Sequence, residues 1–136
     1  MDLRRATAVF AIIVGAMMFA QWAFFIAAGE VTELDTEPIR ISFHLAAEFL
    51  TATALVVAGL GLAKGKSWSF PVLMLALGML SYTIIVSPGY FAQDGEYVLV
   101  AMFAVLWILT LALVFVALKR EAELRSPLNK EGGPGS

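Results

Sequence analysis

One segment of the chain decides the fold: residues 37–63 read EPIRISFHLAAEFLTATALVVAGLGLA. Pro38 suits the first turn of a helix, where a missing backbone N–H costs nothing. The apolar run after it is long enough to span a bilayer, which takes about 20 apolar residues. The run also carries His44, the single histidine of the chain, and the acid Glu48. The segment therefore predicts a membrane-spanning helix with polar positions inside it.

The polar positions of this segment share one spacing. Arg40, His44 and Glu48 are four residues apart, so they stack on one helix face, with Thr51 continuing the line. An acid in the centre of an isolated span costs on the order of 3 kcal/mol. We therefore expect Glu48 to face the interior of a bundle or a subunit interface. The four residues are predicted to form a buried polar seam that opens toward the outer face.

The composition is that of a membrane protein. Of the 136 residues, 60% are hydrophobic and 15% are charged, and the mean hydropathy is +0.85. A net charge of −2 without a clustered basic surface argues against nucleic acid as a partner. The absence of cysteine excludes disulfides, thiolate metal sites and cysteine nucleophiles. The sequence also contains no Ser/His/Asp set at usable spacing and no glycine-rich phosphate loop, so we lean against an enzyme.

Four apolar runs predict the architecture, at about residues 6–28, 39–63, 68–86 and 97–118. Short links between them favour an all-α integral membrane protein, an up-and-down antiparallel four-helix transmembrane bundle. Residues 1–125 would form this single four-span domain, and residues 126–136 a disordered cytoplasmic tail. Turn signals Pro88-Gly89 and Asp94-Gly95 separate the third and fourth runs.

Charge predicts the orientation. Eight of the nine basic residues fall on the side of the two termini: Arg4, Arg5, Lys64, Lys66, Lys119, Arg120, Arg125 and Lys130. Cytoplasmic loops carry an excess of Lys and Arg, so both termini should be cytoplasmic in a multi-pass protein of the inner or plasma membrane. Residues 29–37 form an acidic loop on the other side. We interpret it as a solvated loop; the alternative is a cation-attracting mouth or a docking surface.

Three hypotheses compete for the polar seam. In the first, Arg40, His44 and Glu48 form a clamp that fixes helix packing or oligomer contacts. In the second, His44 and Glu48 shuttle protons or bind a polar ligand from the outer face. In the third, His44 and Glu48 ligate a metal, or His44 a haem. We place the metal last, because two ligands fall short of the three that a catalytic zinc takes from protein.

The first functional expectation is a non-enzymatic homo-oligomer or an accessory subunit of a larger membrane complex, embedded in the lipid bilayer. The alternative is a small proton-coupled transporter, or a membrane protein that binds a lipid or small ligand through His44 and Glu48. Gln21, Ser81 and Tyr82 are secondary polar candidates, since each interrupts an apolar run. An amide such as Gln21 more often bonds a neighbouring helix than a substrate. No cofactor is predicted.

Overall fold

The computed structural model describes residues 2–125, and within that range it is all-helical. Seven helices follow one another: α1 (Leu3–Ala27), α2 (Glu33–Thr36), α3 (Pro38–Ala63), α4 (Ser69–Val86), α5 (Pro88–Gln93), α6 (Tyr97–Lys119) and α7 (Glu121–Arg125). Four of the helical segments are long and apolar enough to cross a membrane. The expectation of four long apolar helices is confirmed. The tail predicted for residues 126–136 lies outside the described residues.

Helix boundaries follow local sequence signals. Asp2 caps α1, its side chain accepting a hydrogen bond from the Arg5 N–H, and Pro38 occupies the first turn of α3 as expected. Gly65 and Gly95 end helical segments with φ of 65° and 78°, a conformation that glycine adopts without steric cost. The Lys64–Gly65 and Asp94–Gly95 turns therefore redirect the chain between long helices.

The region after the third apolar run differs from the expected loop. The Pro88-Gly89 pair does not open a turn: α5 begins at Pro88, and Ser87 alone separates it from the end of α4. The physical reason is that proline is tolerated in the first turn of a helix, and Ser87 keeps helical backbone angles of −62° and −38°. Helical structure thus continues to Gln93 and carries Tyr90 and Phe91 against the rest of the molecule.

The core lies mainly between α3 and α4. Its largest fully buried side chains there are Leu55, Leu62, Leu73, Leu77 and Leu80. The α3 helix packs on α1 on one side and on α4 on the other, and α6 packs on α4 and α5. By contrast, α6 has two buried residues, Thr110 and Ala117. The chain order of the long helices is therefore also their order of contact, with α1 and α6 at the two ends of the series.

Small residues bring α1 and α3 close together. A Cβ added at Gly15 would lie 2.8 Å from the Ala52 carbonyl oxygen, and one added at Gly59 would lie 2.9 Å from the Ala8 carbonyl oxygen. Both distances are shorter than side chains tolerate, so the two backbones approach where glycine permits it. The early part of α1 contacts the late part of α3, so the contacts run in opposite order along the two helices.

Candidate functional site

The site is centred on Glu48, which lies in the middle of α3 with 5% of its surface exposed. Trp22 on α1 donates a hydrogen bond from Nε1 to Glu48 Oε2, at 3.2 Å. On α3 itself, His44 Nε2 lies 4.0 Å from Glu48 Oε1, which is beyond hydrogen-bond distance. Glu48 thus uses one carboxylate oxygen to link two helices and leaves the other without such a bond.

Two polar atoms of this cluster have no protein hydrogen-bond partner among residues 2–125. They are Glu48 Oε1 and His44 Nε2, both buried. Leaving a buried polar atom unpaired costs about 1–3 kcal/mol, and more for a charged group, so native structures rarely do so without a reason. The pair therefore marks a place where a donor or acceptor from outside the chain would be stabilised.

Aromatic rings enclose His44. Its ring centroid lies 5.6 Å from that of Trp22, in an edge arrangement, and 5.8 Å from that of Tyr90. Trp22 belongs to α1 and Tyr90 to α5, which come before and after α3 in the chain. The continuation of helix through Pro88 is what brings Tyr90 to this place.

A cavity of about 600 Å³ opens beside the cluster, and Glu48, His44 and Trp22 line it. Its apolar walls come largely from α1, α4 and α6, with Met17 on α1, Leu80 on α4 and Leu106 on α6. The volume is within the range of about 300–1,000 Å³ that is usual for small-molecule sites. Because α1 and α6 stand at the ends of the helix series, the cavity fills the space between them.

The rim of the cavity is acidic. Glu30 and Glu33, from the loop and short helix after α1, line it together with Asp94 and Glu96, from the turn before α6. The acidic loop after α1 therefore borders the cavity.

A second groove continues the cavity along the same two helices. It measures about 330 Å³ and is lined by residues of α1 and α6 such as Phe10, Leu113 and Val116. Leu109 borders both spaces. An apolar cleft between α1 and α6 therefore leads from Glu48 toward the end of the molecule that carries the first residues of α1.

The chain matches a protein family over residues 1–128; the family is described as a domain of unknown function, DUF8058. The chain belongs to this family. No curated protein and no solved structure matches it.

Arg40 lies outside the cluster, which corrects the seam expected from the sequence. Its side chain is 74% exposed and pairs with Glu37, with 2.9 Å between Arg40 Nη1 and Glu37 Oε2. Each four-residue step on a helix overshoots a full turn, so two steps rotate a side chain by about 80°. Arg40 therefore points away from Glu48, toward the carboxylate at position 37.

The other predicted polar residues are divided by the structure. Thr51 is buried, and its hydroxyl donates to the Ala47 carbonyl oxygen at 2.7 Å. Ser81 likewise donates to the Leu77 carbonyl oxygen, whereas Tyr82 is 66% exposed. Gln21 lines the cavity. The hydroxyls of Thr51 and Ser81 thus find their hydrogen-bond acceptors within their own helices. Of these four residues, Gln21 alone lines the cavity.

The described residues offer no metal centre of three ligands. In residues 2–125 no three His, Asp or Glu side chains come together in an arrangement that could hold an ion. His44 and Glu48 are two potential ligands without a third beside them in this range.

Trp22 and Tyr90 were not among the predicted site residues. The sequence signal for Trp22 was its position next to Gln21 near the end of an apolar run, which equally fits an interfacial anchor. Tyr90 lies between the turn signals Pro88-Gly89 and Asp94-Gly95, which predict a link between two spans. Trp22 and Tyr90 reach the site through contacts with Glu48 and His44 that cross between helices.

Proposed function

We propose that this chain is a four-span membrane protein that binds an amphiphilic molecule in the cleft between α1 and α6. The polar head of the ligand would meet Glu48 and His44, and its apolar chain would follow the cleft. The observation that carries the proposal is that Glu48 Oε1 and His44 Nε2 are buried without a hydrogen-bond partner among residues 2–125, and that both residues line a largely apolar cavity. This takes up the ligand-binding alternative raised by the sequence.

The membrane setting rests on the four apolar helices and on their exposed surfaces. Large apolar side chains such as Val98, Ile108 and Phe115 cover the outside of α6. In water such a surface would associate, whereas hydrocarbon solvates it. We propose an up-and-down antiparallel bundle, supported by the reversed order of contacts between α1 and α3, with Ala8 near Gly59 and Phe19 against Phe49.

Orientation can be tested because the chain contains no cysteine. We propose that both termini are cytoplasmic in a cell membrane, since Lys and Arg cluster on their side. In intact cells an impermeant maleimide should label Thr32→Cys, in the acidic loop. Lys66→Cys, in the turn between α3 and α4, should be labelled only after the membrane is permeabilised. The reverse pattern would invert the topology.

Ligand binding can be tested by filling the cavity. Leu106 lines it, whereas Leu111, on the same helix, lines neither the cavity nor the groove and is exposed. The purified chain is mixed with equal amounts of dodecanol, dodecylamine and dodecanoate and examined by native mass spectrometry. Wild type and Leu111→Trp should retain at least one of the three probes. Leu106→Trp should retain about tenfold less of that probe. Equal retention by all three proteins would contradict the proposal.

We propose, as a second candidate, that the chain is a subunit of a homo-oligomer or of a larger complex. The observation that favours it is the exposed surface of α6, which is apolar on nearly every side. Native mass spectrometry from gently solubilised membranes would detect a defined multiple or partner. A single chain of 14.7 kDa under the mildest conditions would contradict it.

A further inference from the structure

We propose that the head of the ligand is a primary ammonium, held between Glu48 Oε1 and His44 Nε2. This inference rests on the proposed function, because it names the chemical class of the molecule that the cavity binds. It makes the chain a binding protein for long-chain amines, rather than for alcohols, fatty acids or quaternary ammonium compounds.

The first support is the charge of the cavity wall. Five carboxylates line it: Glu30, Glu33, Glu48, Asp94 and Glu96. No lysine or arginine lines it within residues 2–125, although the chain has nine such residues. Arg40, which the sequence placed in the seam, turns away to Glu37. A cleft lined by one sign of charge concentrates ligands of the opposite sign, so a cation is favoured.

The second support is the geometry of the two unpaired atoms. Glu48 Oε1 and His44 Nε2 are 4.0 Å apart, a separation that one nitrogen atom at about 2.9 Å from each would bridge. A primary ammonium has three N–H donors and can serve both atoms at once, when the imidazole is neutral with its proton on Nδ1. A quaternary ammonium has no N–H, and an alcohol has one O–H donor, so neither satisfies both as acceptors.

The third support is the aromatic wall. The rings of Trp22 and Tyr90 lie beside His44, and both residues line the cavity. Aromatic faces attract organic cations, with Trp the strongest of the side chains. A cation over the face of either ring would be attracted, whereas an anion there would be repelled.

The rim distinguishes between two sources of a primary ammonium, a free long-chain amine and the head of an aminophospholipid. A phospholipid with its ammonium on Glu48 would carry its phosphate near the rim, where Glu30 and Glu96 would repel it. A free amine carries no such group. The acidic rim therefore favours the free amine.

The cleft also fits a chain rather than a compact body. Below the cavity, the groove follows α1 and α6 through Phe10 and Leu113 to Val116. From Leu106 to Val116 an α-helix rises about 15 Å at its usual pitch. A single extended hydrocarbon chain matches that path.

The experiment measures dissociation constants of four probes with the same chain: dodecylamine, dodecanol, dodecanoate and dodecyltrimethylammonium. The full chain is held in phosphatidylcholine nanodiscs, and wild type is compared with Glu48→Gln. Dodecylamine should bind wild type on the order of tenfold more tightly than the other three, because charge-assisted hydrogen bonds are the strong ones. Glu48→Gln should lose that preference while its thermal unfolding midpoint stays near that of wild type, since the amide still accepts from Trp22.

The outcomes separate this inference from the proposed function. Equal binding of all four probes, lost in Leu106→Trp, would overturn the ammonium and leave the ligand site standing. Dodecyltrimethylammonium binding as tightly as dodecylamine would overturn the bridged N–H geometry. Failure of every probe to bind, or binding unchanged in Leu106→Trp, would overturn both proposals.

A final arm tests the source of the amine. The dodecylamine titration is repeated in nanodiscs that contain phosphatidylethanolamine. Unchanged affinity would support a free amine as the ligand. Competition by phosphatidylethanolamine would overturn that choice of source and assign the same ammonium chemistry to a lipid head.

Discussion

The two sides of α1 differ sharply. Toward α3, its backbone lies close enough that Gly15 and Gly59 leave no room for a methyl group, and Trp22 is bonded to Glu48. Toward α6, the same helix borders a cavity of about 600 Å³ and the groove beyond it. Glu48 lies where the two sides adjoin. One of its oxygens accepts from Trp22 on the closed side, and the other has no hydrogen-bond partner among residues 2–125.

The closed side should depend most on its buried leucines. Leu55 is fully buried and lies beside Gly15, whereas Leu60, on the same helix, is 45% exposed. Leu55→Ala should lower the free energy of unfolding by about 2–5 kcal/mol, because it leaves a cavity in a packed core. Leu60→Ala should change it by less than about 1 kcal/mol. Denaturation by SDS measures both, and equal losses would place the core elsewhere.

The close approach of the two backbones gives the next largest effect. Gly59→Ala should destabilise by about 1–3 kcal/mol, because its Cβ would meet the Ala8 carbonyl oxygen and the Ile12 side chain. Gly78→Ala is the matched control, since a Cβ there meets nothing within 4 Å. That variant should be neutral or slightly stabilising, as alanine is the better helix former. A stable Gly59→Ala protein would contradict the tight α1–α3 contact.

Trp22 connects the closed side to the open side. Trp22→Phe keeps a ring against His44 but removes the donor to Glu48, so it should cost about 1–3 kcal/mol. Trp107→Phe, on the exposed surface of α6, should cost less. Thermal unfolding of both variants in detergent tests this order. If Trp107→Phe is the more damaging change, the Trp22–Glu48 bond is not the link between the helices.

Arg40 should matter least. Its exposed ion pair with Glu37 is of a kind that contributes about 0–1 kcal/mol and weakens with salt. Arg40→Gln should therefore leave both stability and dodecylamine binding close to wild type. A loss of binding comparable to that of Glu48→Gln would return Arg40 to the site.

The sequence predicted the features that are determined within a single helix. Helical spacing and the cost of burying an acid correctly indicated that Glu48 is buried near His44. The spacing wrongly predicted that Arg40 lies beside Glu48. Over two helical turns the side chains rotate relative to each other, and the Glu37 carboxylate, three residues away, pairs with Arg40 outside the cluster. Helix length and apolar composition were likewise readable from each run alone.

What depends on several helices could not be predicted. The Trp22–Glu48 bond requires the rotation and register of α1 against α3, which Gly15 and Gly59 determine through contacts far apart in sequence. The cavity depends on α6 packing on α4 and α5 rather than closing onto α1. Tyr90 joins the site because helix continues past Pro88, whereas the Pro-Gly pair taken alone predicts a turn.

The most direct test of the cleft is a map of photolabelled residues. Dodecylamine and dodecanol carrying a diazirine at the end of the chain are irradiated with the protein in nanodiscs, and labelled residues are identified by mass spectrometry. We predict labels on cleft residues of α1 and α6, such as Phe10, Leu106 and Leu113, that excess unlabelled probe removes. Labels confined to outward positions such as Val98, Ile108 and Leu111 would contradict a ligand site between the two helices.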